Sequence, residues 1–163
     1  MVVILKIYRH LATVENALLV LCFAAMLGLA SVQILSRNVW GLGISWIDPM
    51  VRALTLWVTM LGGLVATRES RHINIDIADQ YLTGKKRIFA LLISYSLSAG
   101  ICTLAAFHTY RFVLDEARFG SIAFGYVPSW LVATILPLGF SLMAIRFVGH
   151  SVKTLRQFER RKA

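Results

Sequence analysis

Acidic side chains are scarce in this sequence. Eight Asp and Glu stand against 17 Lys and Arg, a formal net charge of +9 over 163 residues. Charged residues of both signs make up only 15% of the chain and apolar ones reach 58%. Soluble domains carry about 25% charged and about 45–50% apolar residues. Cysteine is nearly absent. Cys22 and Cys102 both lie in apolar runs and no Cys-x-x-Cys occurs, so a quinone-linked disulfide oxidase is excluded and the two read as small buried hydrophobes. Histidine is limited to His10, His72, His108 and His150. Haem held by two axial histidines needs a pair at one depth, and His108 falls at the opposite end of the chain's apolar runs from the other three. No phosphate loop, metal cluster or nucleophile motif is present.

What is present is length without charge. Asn16–Ser36, Ile88–Tyr110 and Phe119–Ile145 carry no formal charge, and each can cross a bilayer, for which about 20 residues suffice. A fold of this size has too little interior to bury three such runs. A fourth run, Ala53–Thr67, has 15 residues. Alone it would rise about 22 Å, against a hydrocarbon core of about 30 Å. Its flanks extend it: Asp48 reads as an N-cap, Pro49 as the first helical residue, and Arg52 can reach the interface with its long stem. The expectation is an all-α integral membrane protein with four transmembrane helices and short interfacial helices. It is a single membrane domain over 1–163, with spans at about 11–35, 49–68, 88–111 and 128–149, an inner loop at 69–87 and a basic C-terminal helix at 150–163.

Lys and Arg set the orientation. The terminal segments and the second loop hold 13 of them, the first and third loops and their flanks 4. Both termini are therefore expected in the cytoplasm, with the excess charge drawn to anionic lipid. Nucleic-acid binding is a poor reading, because the basic residues are split between separate loops. Trp40, Trp46, Tyr110, Tyr126 and Trp130 fall near the outer ends of the spans, as an interfacial belt would. Gly28-Leu29-Ala30 has the look of a signal-peptidase site, but the first run is too long and starts too late for a simple signal; it reads as the first span.

Ala24 and Gly28, Gly62 and Ala66, and Ser96 and Gly100 are small pairs four residues apart, which let another helix approach. Trp57 lies deep in the second span and needs a partner for its N–H. Pro137 should bend the fourth span. In the inner loop, Ile73, Ile77 and Leu82 share a helical face; Ile73, Ile75 and Ile77 also alternate as a strand would, and the amphipathic helix is preferred. Glu15 sits at the inner edge of the first span and Arg52 at the outer edge of the second, with no carboxylate, lysine or arginine midway. An ion-coupled path needs ionisable groups or broken helices there. Gln33, Thr55, Thr59, Thr103 and His108 are the notable polar candidates. The pattern suits an accessory subunit better than a transporter.

One stretch says more. Trp46, Asp48, Arg52, Trp57 and Leu61-Gly62, then Ala66-x-Arg68 and His72-Ile73-x-Ile75-Asp76, occur in order over 31 residues. They resemble the small (Q-type) membrane subunit of TRAP transporters, the tripartite ATP-independent periplasmic transporters. The second member of that family's acidic pair is Pro49 here, so a role for it does not carry over. The resemblance implies a three-part, sodium-driven importer of organic acids in the bacterial inner membrane. A periplasmic protein captures the substrate, a large multi-span subunit carries it inward, and the small subunit serves as scaffold and helps dock the periplasmic protein. It implies no enzyme activity and no metal or cofactor in this chain; sodium belongs to the large partner. Trp46, Asp48, Arg52, Trp57, Gly62 and Ala66 become subunit-interface candidates, and Arg68, Arg71, His72 and Asp76 inner-loop candidates. Asp48 and Arg52, one turn apart, can pair with each other, reach the partner, or simply cap and snorkel. The competing readings are a small proton-coupled exporter using Glu15 and a membrane assembly factor without a transport partner.

Overall fold

The computed structural model describes residues 2–69 and 85–160, with side chains described for 10–68 and 88–156. The inner loop expected over 69–87 thus lies mostly outside the described residues, and with it the amphipathic helix expected there. Four helices are long and apolar enough to cross a membrane. Helix α1 is Val2–Val39, α2 is Ile47–Glu69 and α3 is Lys85–Phe119. A small hairpin follows, β1 Ile122–Phe124 with β2 Val127–Pro128, then a short helix α4, Ser129–Ala133, and finally α5, Ile135–Arg160.

The helices stand side by side in the order α1, α2, α5, α3. α1 and α3 are therefore the outer members of a row, and α2 and α5 the inner ones. Cys22, Leu61, Leu64 and Met143 form the buried centre, with Leu19, Val58 and Cys102 against it. In each span fewer than three residues in ten are buried. In water so much exposed apolar surface would drive aggregation; in a membrane it meets lipid or another subunit.

α1 is attached by one seam. Its buried or half-buried positions recur at Glu15, Leu19, Cys22, Met26, Leu29, Gln33 and Ser36. Steps of four and three are the heptad spacing, which presents a single narrow stripe. The stripe is apolar in the middle and polar at both ends.

Local chemistry sets the helix boundaries, in places away from where the sequence alone puts them. α2 starts earlier than the cap at Asp48 suggests: the Trp46 carbonyl accepts the first helical bond, from Met50 N–H at 3.3 Å. Asp48 and Pro49 become the second and third helical residues, where proline still forfeits no bond and the carboxylate faces the positive end of the dipole. α3 runs on to Phe119 and stops at Gly120, whose φ of +66° and bond to the Glu116 carbonyl at 3.2 Å close the helix in the left-handed conformation. Gly125, φ +54°, opens the hairpin turn with Tyr126 at its tip. Glycine first in a two-residue loop is the II′ pattern. The fourth span breaks at Thr134 rather than at Pro137 itself, because proline acts on the turn before it, lacking the N–H that residue 133 would receive.

Candidate functional site

The chain's polar side chains gather at the two ends of the α1 seam. At the end shared by the N-terminus of α1 and the C-terminal parts of α2 and α5, Glu15 is 5% exposed. Both its oxygens are taken. Arg68 Nη1 lies 3.3 Å from Oε2 and Arg146 Nη2 donates to Oε1. Both guanidiniums make further bonds. Arg68 bonds the Ala12 carbonyl at 3.1 Å and Asn16 Oδ1 at 2.8 Å, and Arg146 bonds the Leu64 carbonyl. One carboxylate between two arginines thus joins α1, α2 and α5. A buried charge is tolerable when it is paired and hydrogen-bonded in this way.

At the other end, the amide of Gln33 faces the backbone of Ile44. Its Nε2 donates to the Ile44 carbonyl and its Oε1 accepts the Ile44 N–H, each at 3.2 Å. Ser36 donates to the Leu42 carbonyl at 2.6 Å. These bonds hold the loop between α1 and α2 as a neighbouring strand would. Arg37 then pairs with Asp48 in the open. Gly43 lies close beneath it: a Cβ there would come within 2.9 Å of Arg37 Nε. Ile47, 1% exposed, is sealed under this clamp.

Trp57 has the partner that its depth demands. Its indole N–H donates to the Val132 carbonyl at 3.1 Å. Thr134 takes the adjacent Leu131 carbonyl at 2.6 Å. Two carbonyls of the broken turn thereby gain side-chain donors, and α2 is pinned to the segment that leads into α5. Near the opposite end, the rings of Tyr95 and His150 stack at 5.6 Å between α3 and α5.

The residues singled out from sequence do not form one cluster. Asp48 belongs to the clamp, Trp46 is exposed just before α2, Trp57 belongs to the break and Arg68 to the buried lock. Arg52, Gly62 and Ala66 lie on the outer face of α2. Arg71, His72 and Asp76 are outside the described residues. Asp48 and Arg52 do not pair: Arg37, reaching back across the loop, holds Asp48 instead. Arg52 is exposed and has no ion pair among the described residues. Sequence reading missed Arg37 and Arg146 as partners. It read Glu15 by its position along the first span alone and not by its face, although the heptad spacing from Leu19 and Cys22 puts it on the packed stripe. Among the described residues no group of three His, Cys, Asp or Glu can hold a metal.

Residues 26–157 match the family described as tripartite ATP-independent periplasmic transporters, DctQ component. The chain belongs to this family. It is 29% identical over 147 residues to the sialic acid TRAP transporter small permease protein SiaQ of Vibrio cholerae, a match covering 87% of this chain and 82% of SiaQ. It is 28% identical over 120 residues to the C4-dicarboxylate TRAP transporter small permease protein DctQ of Rhodobacter capsulatus, covering 73% of this chain and 53% of DctQ. A third match, 29% over 126 residues, is to the sialic acid TRAP transporter permease protein SiaT of Haemophilus influenzae, covering 77% of this chain and 20% of SiaT. The chain thus spans about half of one curated relative and a fifth of another. The DctQ component is a membrane subunit of a transporter, which is not an enzyme class, and this chain is a multi-pass inner-membrane protein.

Proposed function

We propose that this chain is the static small subunit of a sodium-driven TRAP importer for organic acids. It holds the large, moving subunit in place and contributes to the surface on which the periplasmic binding protein docks. The coupling ion is bound by the large subunit, and this chain needs no cofactor of its own.

The observation that carries the reading is the state of Glu15. A carboxylate that shuttles protons or cations must open to one side of the membrane and then to the other. Here both oxygens are occupied by arginines of two other helices. The group fastens helices together, which is what a scaffold requires, and the exporter reading loses its one supporting residue. The carboxylate class of the substrate is supported by the names of two relatives, which refer to sialic acid and C4-dicarboxylates. The distribution of Lys and Arg supports cytoplasmic termini, which would place the hairpin and the α1–α2 loop on the periplasmic side.

The test is uptake of labelled organic acids into proteoliposomes holding the large subunit and binding protein, with and without this chain. Uptake should require this chain together with a sodium gradient. Equal uptake without it would remove the proposal. Transport by this chain alone would replace it with the independent-transporter reading.

A further inference from the structure

The seam between α3 and the fourth span is closed at one end and open at the other. Toward the C-terminal end of α5 it is tight. Tyr95 and Ala99 of α3 are buried there, and Tyr95 stacks on His150. Toward the hairpin the seam parts into a groove of about 560 Å³, which runs from Thr103 to Val113 on α3 and from Thr134 to Ser141 on the fourth span. It lies beside the break, and the short side chains of Ala106 and Pro137 leave room in it. The hydroxyls of Thr103 and Thr134 close on carbonyls of their own segments, at Ala99 and Leu131, so the lining is mostly apolar. Ten residues of α3 rise about 15 Å. That is half of a hydrocarbon core of about 30 Å, the depth of one leaflet.

Arg111 stands at the mouth. Its place in the membrane follows from the chain on either side. The run Ile88–Tyr110 has 23 uncharged residues between Arg87 and Arg111 and rises about 35 Å, so the two arginines fall at opposite boundaries of the core. The Arg111 guanidinium lies over the ring of Phe107, 5.9 Å from its centre, and Phe107 lines the groove. Stacking on a ring face fixes the guanidinium and leaves its N–H donors open. Among the described residues Arg111 has no ion pair. Asp115, one turn further on, lies 3.8 Å from Arg118 instead. Arg37 at the same end of the spans holds Asp48.

We propose that this groove is a phospholipid site in the leaflet nearest the hairpin, with the phosphate on Arg111 and an acyl chain laid between α3 and the fourth span. Charge, chemistry and length agree. A guanidinium at the boundary takes a phosphate through paired hydrogen bonds, the lining below it is apolar, and the groove ends where an acyl chain ends. A transmembrane helix of another subunit fits less well. It would cross both leaflets, and the seam is shut beyond Ala99. The site does not depend on the proposed function.

The test places the full chain in nanodiscs of phosphatidylethanolamine and phosphatidylglycerol, a fraction of which carries a diazirine in mid-chain. After irradiation, adducts mapped by mass spectrometry should concentrate at Phe107 and Leu138 rather than at Val20 and Leu97, which are also exposed. After transfer to mild detergent, native mass spectrometry should find one phospholipid retained per chain. Arg111→Gln should lower that retention about tenfold or more, while Arg118→Gln leaves it unchanged. Ala106→Phe, which fills the groove, should remove both the adducts and the retained lipid. Adducts spread evenly over the four positions, or no lipid retained by the wild type, would overturn the inference whatever the variants do. So would retention that neither Arg111→Gln nor Ala106→Phe lowers. A photoreactive amino acid at Leu138 that captures only protein, when the large subunit is co-expressed, would overturn it as well and leave the proposed function standing.

Discussion

The two ends of the α1 seam use the same pair of chemical groups and put them to different uses. Glu15 with Arg68 and Arg146 is buried, the three side chains being 7%, 10% and 11% exposed. Arg37 with Asp48 is open, at 59% and 42%. Burial decides what each is worth. A pair in water gains little, because solvent screens it and its long side chains lose freedom. A buried carboxylate cannot lose its partners without leaving charge stranded in a poor dielectric. At the open end the burden falls on neutral groups instead, the amide of Gln33 and the hydroxyl of Ser36, which hold loop backbone.

Breaking the buried end should therefore have the largest effect. Glu15→Ala removes the carboxylate from between two buried guanidiniums and should destabilise the chain by about 3–5 kcal/mol, measured by unfolding in detergent or bicelles. At the open end, Gln33→Ala removes two hydrogen bonds to Ile44 and should cost about 1–3 kcal/mol, with faster hydrogen exchange confined to residues 40–46. Trp57→Phe keeps the bulk but leaves the Val132 carbonyl without its donor. It should cost about 1–2 kcal/mol, with added exchange at the break in the fourth span. Arg37→Ala should cost about 1 kcal/mol or less and become silent at high salt. If Arg37→Ala instead matched Glu15→Ala, burial would not be what separates the two ends.

The four spans were legible in the sequence because long uncharged runs have no other stable setting, and the family was legible in the ordered residues from Trp46 to Asp76. The polar contacts were not. Glu15 and Arg146 are 131 positions apart, and neither run shows that α1 and α5 approach one another there. Asp48 and Arg52 obey the helical spacing for a pair, yet Arg37 wins the carboxylate because the loop folds α1 back beside the start of α2. Trp57 announced a need for a partner and Pro137 announced a fault in its helix. That one answers the other depends on the packing of α2 against the fourth span. The heptad spacing that puts Glu15 on the packed stripe was present in the sequence, but the long apolar run concealed it.

The central claim is that Glu15, buried between two arginines, fastens helices and carries nothing. The most direct test replaces the whole lock with apolar side chains, Glu15→Leu with Arg68→Met and Arg146→Met. Uptake is then measured in the complex with the large subunit and binding protein. Buried ion clusters can be exchanged for well-packed apolar groups without loss of stability. The account predicts an assembled complex whose sodium-driven uptake stays close to that of the wild type. A complex that assembles fully but no longer transports would contradict it.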